Sequence, residues 1–156
     1  MKGIADFKAL VQQRTWDKDV LLWLGPEKAL SAALGANEHV DLDLLDLFQP
    51  EHLPVDDDAT KTELRLRLRE HLRSIPKGPP TRTVLVVKSI GLLARYETGL
   101  NEFYNWFVGS HALVVLLLEH VPEKLDWPDE IRCDTKRLVG YFAEPGMAKE
   151  VYDARG

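Results

Sequence analysis

Lys28, three residues after Gly25, and Lys88, the last residue of an apolar run, stand where phosphate-handling chemistry would place charged groups. A loop that wraps phosphate needs consecutive backbone N–H groups, a lysine reaching the terminal phosphates, and a Ser or Thr for Mg²⁺. Here Val20–Leu24 runs into Gly25-Pro26-Glu27-Lys28-Ala29-Leu30, with one glycine, a proline that removes a donor, and Ala29 where the hydroxyl is needed. At the end of Thr83–Lys88, where an aspartate would help to hold Mg²⁺, the chain has Lys88, whose ammonium repels the metal. Both halves fail independently, which argues against ATP hydrolysis. Anion binding near Gly25 and Lys28 stays open beside the simpler reading of a strand-to-helix turn.

No other constellation reaches catalytic spacing. His39, Asp41 and Asp43 would share one face of a strand, but a hard cation needs further oxygen ligands from elsewhere. His111, His120 and Cys133 lack the paired spacing of a zinc site. Ser89 and Ser110-His111 sit in no G-x-S-x-G elbow. We therefore expect no enzyme, metal or cofactor. Two candidate contact surfaces remain. Arg65, Arg67, Arg69 and Arg73 form a basic face, and Lys88, Arg95, Tyr104 and Trp106 a partner surface; Tyr104 and Trp106 cannot share a helical face, so one of them should lie near solvent.

The basic face belongs to a sharp reversal of charge. Between Glu38 and Asp58 there are eight acids and no Lys or Arg, and between Lys61 and Arg82 seven bases face Glu63 and Glu70. Mutually offsetting solvated surfaces explain this; a surface for a partner protein or a nucleic-acid backbone is the sharper alternative. Against nucleic acid, no aromatics interleave with the arginines to stack bases, and the net charge of −5 attracts no polyanion.

The positioning elements follow from periodicity. Ile4, Phe7, Leu10 and Val11 predict a helix over 4–14, Val20–Leu24 a buried strand, and residues 28–34 a helix that Gly35 stops. His39–Leu44 reads as a short strand, 49–60 as a mobile acidic loop, and 61–74 as a helix striped by Leu64, Leu68 and Leu72. Thr83–Val87 and Ala112–Leu118 are apolar strands flanking a helix over 98–108, which buries Leu100, Phe103, Tyr104 and Phe107. Residues 136–142 fit an edge strand or a helix, and 146–153 a terminal helix. Strand–helix alternation with continuous apolar strands implies an α/β three-layer sandwich around a mainly parallel sheet of four or five strands. This P-loop-like frame lacks its Walker motifs. At 156 residues we expect one domain, with no signal peptide and, given the single cysteine, a reducing cytoplasmic setting.

The layout of Thr83–Tyr104 followed by the apolar strand is similar to the BrxB-type small proteins of BREX bacteriophage-exclusion systems. The matching residues are Ile90-Gly91, Leu93, Arg95, Leu100-Asn101 and Leu113–Leu118, and the segment beginning at His39 resembles that family's second strand. Leu93-Ala94 replaces the aromatic-proline pair, and the histidine after the arginine is missing. The resemblance implies a cytoplasmic, non-catalytic component of an anti-phage complex that docks onto phosphatase-like or methyltransferase subunits. It supplies no catalytic residues.

Overall fold

The computed structural model describes residues 1–13, 16, 19–35, 37, 39–47, 56–75, 83–106, 112–119 and 135–155. Phe107, Ser110, His111, His120, Cys133, Arg82 and the acidic stretch 49–55 lie outside them. Five strands, β1 (Asp19–Leu24), β2 (His39–Asp43), β3 (Thr83–Lys88), β4 (Ala112–Leu118) and β5 (Glu150–Asp153), form one sheet in the order β2-β3-β4-β1-β5. Every pairing is parallel. β1 and β4 are buried along their whole length, as a sheet covered on both faces requires.

Strand alternation divides the core in two. Val20, Leu22 and Leu24 point with Leu85, Val87, Val114 and Leu116 toward α3 (Asp57–Ser74), α4 (Gly91–Arg95), α5 (Asn101–Trp106) and α6 (Thr135–Phe142). Leu21, Trp23, Val84, Val86 and Val115 point the other way, toward α1 (Ile4–Gln13) and α2 (Glu27–Leu34). The chain steps from β2 through β3 to β4 with helices on the first face. The reverse jump from β1 to β2 carries α2 on the second face, as crossovers of one hand demand. The neighbours β1 and β4 thus send their onward connections to opposite faces. A crevice outside the carboxyl ends of two such strands is where open parallel sheets place their sites.

Three expectations are corrected. Residues 146–153 contain no helix: Glu150–Asp153 is β5, in register with Leu21–Leu24. Helix formers such as Met147, Ala148 and Lys149 are outweighed by the open flank of β1, whose backbone groups need a ladder partner, and by burial of Tyr152 against Phe7. Lys2 pairs in turn with the outer side of β5 and covers that edge. The acidic loop also ends earlier than expected. Asp56 caps α3, its side chain accepting the Ala59 N–H at 2.7 Å. Asp57 and Asp58 occupy the first turn, where the helix dipole favours carboxylates. The helix expected over 98–108 starts later, at Asn101, and its buried side carries Phe103 and Trp106 with the preceding Leu100, while Tyr104 is half-buried. Residues 136–142 resolve to a helix, α6. No helix among the described residues is long and apolar enough to cross a membrane.

Candidate functional site

The crevice outside the ends of β1 and β4 begins at Gly25. Its φ of +148° lies in the region that favours glycine, and a Cβ there would come within 2.9 Å of the Ala154 Cβ and 3.0 Å of the Ala154 backbone. The glycine therefore admits the chain leaving β5, whose Ala154 N–H donates to Leu24 O at 2.6 Å. In a phosphate loop the same freedom would admit a phosphate.

Several donors of the turn are taken up by the chain as well. Gly25 N–H donates to Leu118 O at 3.1 Å, Pro26 has none, and Ala29 N–H returns to Pro26 O at 3.1 Å. Glu27 N–H points to Glu119 Oε1 at 3.4 Å, so a carboxylate from the end of β4 sits at the start of α2. Lys88, at the end of β3, places its Nζ 2.6 Å from Glu27 Oε1. That hydrogen bond, with the charges of Glu27, Asp41 and Asp43, holds the ammonium above the ordinary lysine range against the opposing effect of its burial. A carboxylate stands on the helix start and an ammonium on the strand end. These residues do not fit a magnesium–nucleotide complex.

Ser89 follows Lys88 with φ +61°, a left-handed backbone at a strand-to-helix turn. Such a conformation is sparsely populated for a residue with a side chain and has the shape of a nucleophile elbow. Its hydroxyl donates to Asp43 Oδ1 at 2.6 Å, and the same oxygen accepts Leu45 N–H at 3.0 Å. This bond ties β2 to the turn after β3, and among the described residues no histidine joins it. His39 Nε2 lies 3.5 Å from Asp41 Oδ1, and no group of three metal-ligating side chains occurs among the described residues.

The candidate partner surface does not exist as one patch. Lys88 faces the α2 side of the sheet with Val84 and Val86, whereas α4 and α5 pack on the opposite side. Arg95 makes a fork to Asp57, with distances of 2.9 and 3.2 Å, and lies 5.0 Å from the centre of the Tyr96 ring. The Tyr104 hydroxyl donates to Met147 O and is half-buried. Trp106 is only 4% exposed, because it turns inward with Phe103 onto α3. It cannot anchor a partner from the surface.

The basic face divides as well. Arg65, Arg69 and Arg73 recur every four residues and form one ridge of α3, while Arg67 pairs with Glu63 on its own helix. The ridge meets a residue the sequence did not single out. Glu102 of α5, 5% exposed, accepts from Arg65 Nε at 3.3 Å, Arg69 Nε at 3.0 Å and Arg69 Nη2 at 3.2 Å. The Arg69 hydrogen bond, ahead of the charges of Arg69 and Arg65, depresses the Glu102 carboxyl pKa despite its burial. Two of the four arginines thus fasten α3 to α5. Comparison with protein-family models, with curated proteins and with solved structures returned no match.

Proposed function

We propose that this chain is a non-catalytic protein-interaction module built on a P-loop-like frame and, following its resemblance to BrxB-type proteins, a cytoplasmic component of an anti-phage assembly. One observation carries the non-catalytic reading: at the carboxyl ends of β1, β3 and β4 the chain sets its own charges against one another. Lys88 stands at 2.6 Å from Glu27 where a metal-holding carboxylate would be, and Glu119 caps α2 where phosphate would lie. The frame itself is supported by the strand order β5-β1-β4-β3-β2, with the glycine turn after β1 and the lysine on β3.

The partner expected from the resemblance is a phosphatase-like or methyltransferase subunit. Affinity purification from the native host should recover such a subunit in stoichiometric amount. Recovery of the chain alone would count against the assembly, and saturable binding of ATP·Mg²⁺ would count against the non-catalytic frame. The alternative of a nucleic-acid subunit is disfavoured by the internal pairing of Arg65, Arg67 and Arg69.

A further inference from the structure

A cavity of about 290 Å³ opens between α3 and α5, lined by Arg69, Leu72, Arg73, Glu102, Asn105 and Trp106. It brings together residues from both candidate surfaces: two members of the arginine ridge and the buried tryptophan. Leu72 and Trp106 are almost wholly buried and provide an apolar floor. Arg73 is exposed at the rim and has no carboxylate partner among the described residues. The cavity wall itself carries two guanidiniums, those of Arg69 and Arg73, against the one carboxylate of Glu102, an excess of one positive charge.

We propose that this cavity binds the carboxylate side chain of an acidic segment on a partner protein. The volume falls at the lower limit for small-molecule pockets and suits one side chain better than a nucleotide. A planar carboxylate matches the fork of a guanidinium, which accepts it through two parallel N–H donors. The floor of Leu72 and Trp106 takes up the methylenes of the incoming side chain, and the Asn105 amide supplies a neutral donor. Phosphate is disfavoured on electrostatic grounds. Its second negative charge would be forced against Glu102, which stays ionised because its two arginines hold its pKa down. The inference rests on the reading of the chain as an interaction module, but its test does not depend on finding the partner.

The experiment uses the full chain labelled with ¹⁵N and titrated with an acetylated, amidated Ala-Glu-Ala peptide, followed at the Nε–H signals of Arg69 and Arg73 and the indole N–H of Trp106. We expect saturable shifts with a dissociation constant on the order of 10 mM, as befits a single charged anchor, and no saturation with the Ala-Gln-Ala peptide. Arg73→Ala, at an exposed position that leaves the fold intact, should weaken binding roughly fivefold or more, and Arg73→Lys by less, because the charge stays while the fork is lost. The proposal is overturned if the glutamine peptide shifts the same signals equally, if the glutamate peptide gives no saturation, or if Arg73→Ala binds as the parent does. It is equally overturned if inorganic phosphate displaces the peptide at lower concentration than acetate, which would make this a phosphate site. Failure of the titration removes the pocket and leaves the interaction module standing; absence of a partner subunit does the reverse.

Discussion

Glu102→Gln isolates the contact that turns the arginine ridge inward. Glutamine keeps the shape and the burial of the side chain but removes the charge that accepts three hydrogen bonds from Arg65 and Arg69, at 3.3, 3.0 and 3.2 Å. A hydrogen bond to a charged group contributes about 1.5–3 kcal/mol net. That figure must be discounted here, since the Arg65 and Arg69 side chains are 40% and 43% exposed and water can replace the lost acceptor. The expected loss is about 1–2 kcal/mol, between an exposed ion pair and a broken buried one. For a chain of this size it lowers Tm by about 2–8 °C. Urea unfolding at neutral pH measures it, and a double-mutant cycle with Arg69→Met should show the two positions coupled, the double variant losing less than the sum of the single losses. The sign with pH follows from the depressed carboxyl. Its folded pKa lies below the unfolded one, so the stabilisation is complete above the unfolded value, about 4.3, and is lost as pH falls through the folded value. The gap between parent and Glu102→Gln should therefore close on acidification below about pH 4. A glutamine variant as stable as the parent at neutral pH, or a gap that does not close in acid, would refute this role for Glu102.

Gly25→Ala should cost about 2 kcal/mol or more in thermal unfolding, because the new methyl meets Ala154 at 2.9 Å on a backbone that disfavours any side chain. Parent-like stability would remove the close approach of β5 as the reason for this glycine. Asp153, hydrogen-bonded by the side chain and N–H of Arg155, has its carboxyl lowered to about 2. Its stabilisation is present above the unfolded value and lost as pH falls toward 2, so an NMR titration should find it among the last carboxyls to protonate, and Arg155→Met should move it up toward the usual range, with the backbone N–H of residue 155 keeping part of the depression. Tyr104→Phe, which deletes the hydroxyl donated to Met147 O, should cost about 1 kcal/mol in urea unfolding; an unchanged midpoint would show that the bond contributes nothing.

Much of the sheet was legible because its strands speak locally. Ala112–Leu118 and Thr83–Lys88 are unbroken apolar or β-branched runs, and burial on both faces is written into them. The start of α3 was also legible in principle: Asp56 followed by acids is an N-cap signature, masked by reading charge density as loop. β5 was not legible. Residues 147–153 carry no pattern that separates a strand from a helix, and the deciding term is the vacant ladder on β1, more than a hundred residues earlier in the chain. The same distance hid the site. Glu102 meets Arg65 and Arg69 only because α5 lies across α3, and nothing in the spacing of 37 and 33 residues announces it. Trp106 and Tyr104 lie two positions apart, and which of them is the more deeply buried depends on where α3 lies. Lys88 was recognisable as the wrong charge for a metal strand; that Glu27 answers it, with Glu119 at the start of α2, required the folded crevice.

The central claim is that this crevice is occupied by the chain's own ammonium and carboxylates in place of nucleotide and metal. Isothermal titration of the full chain with ATP·Mg²⁺ at neutral pH tests it most directly. The account predicts only heats of dilution, with no saturation into the millimolar range of nucleotide. Saturable micromolar binding abolished by Gly25→Ala or by Lys28→Ala would contradict it and return the chain to the nucleotide-binding proteins.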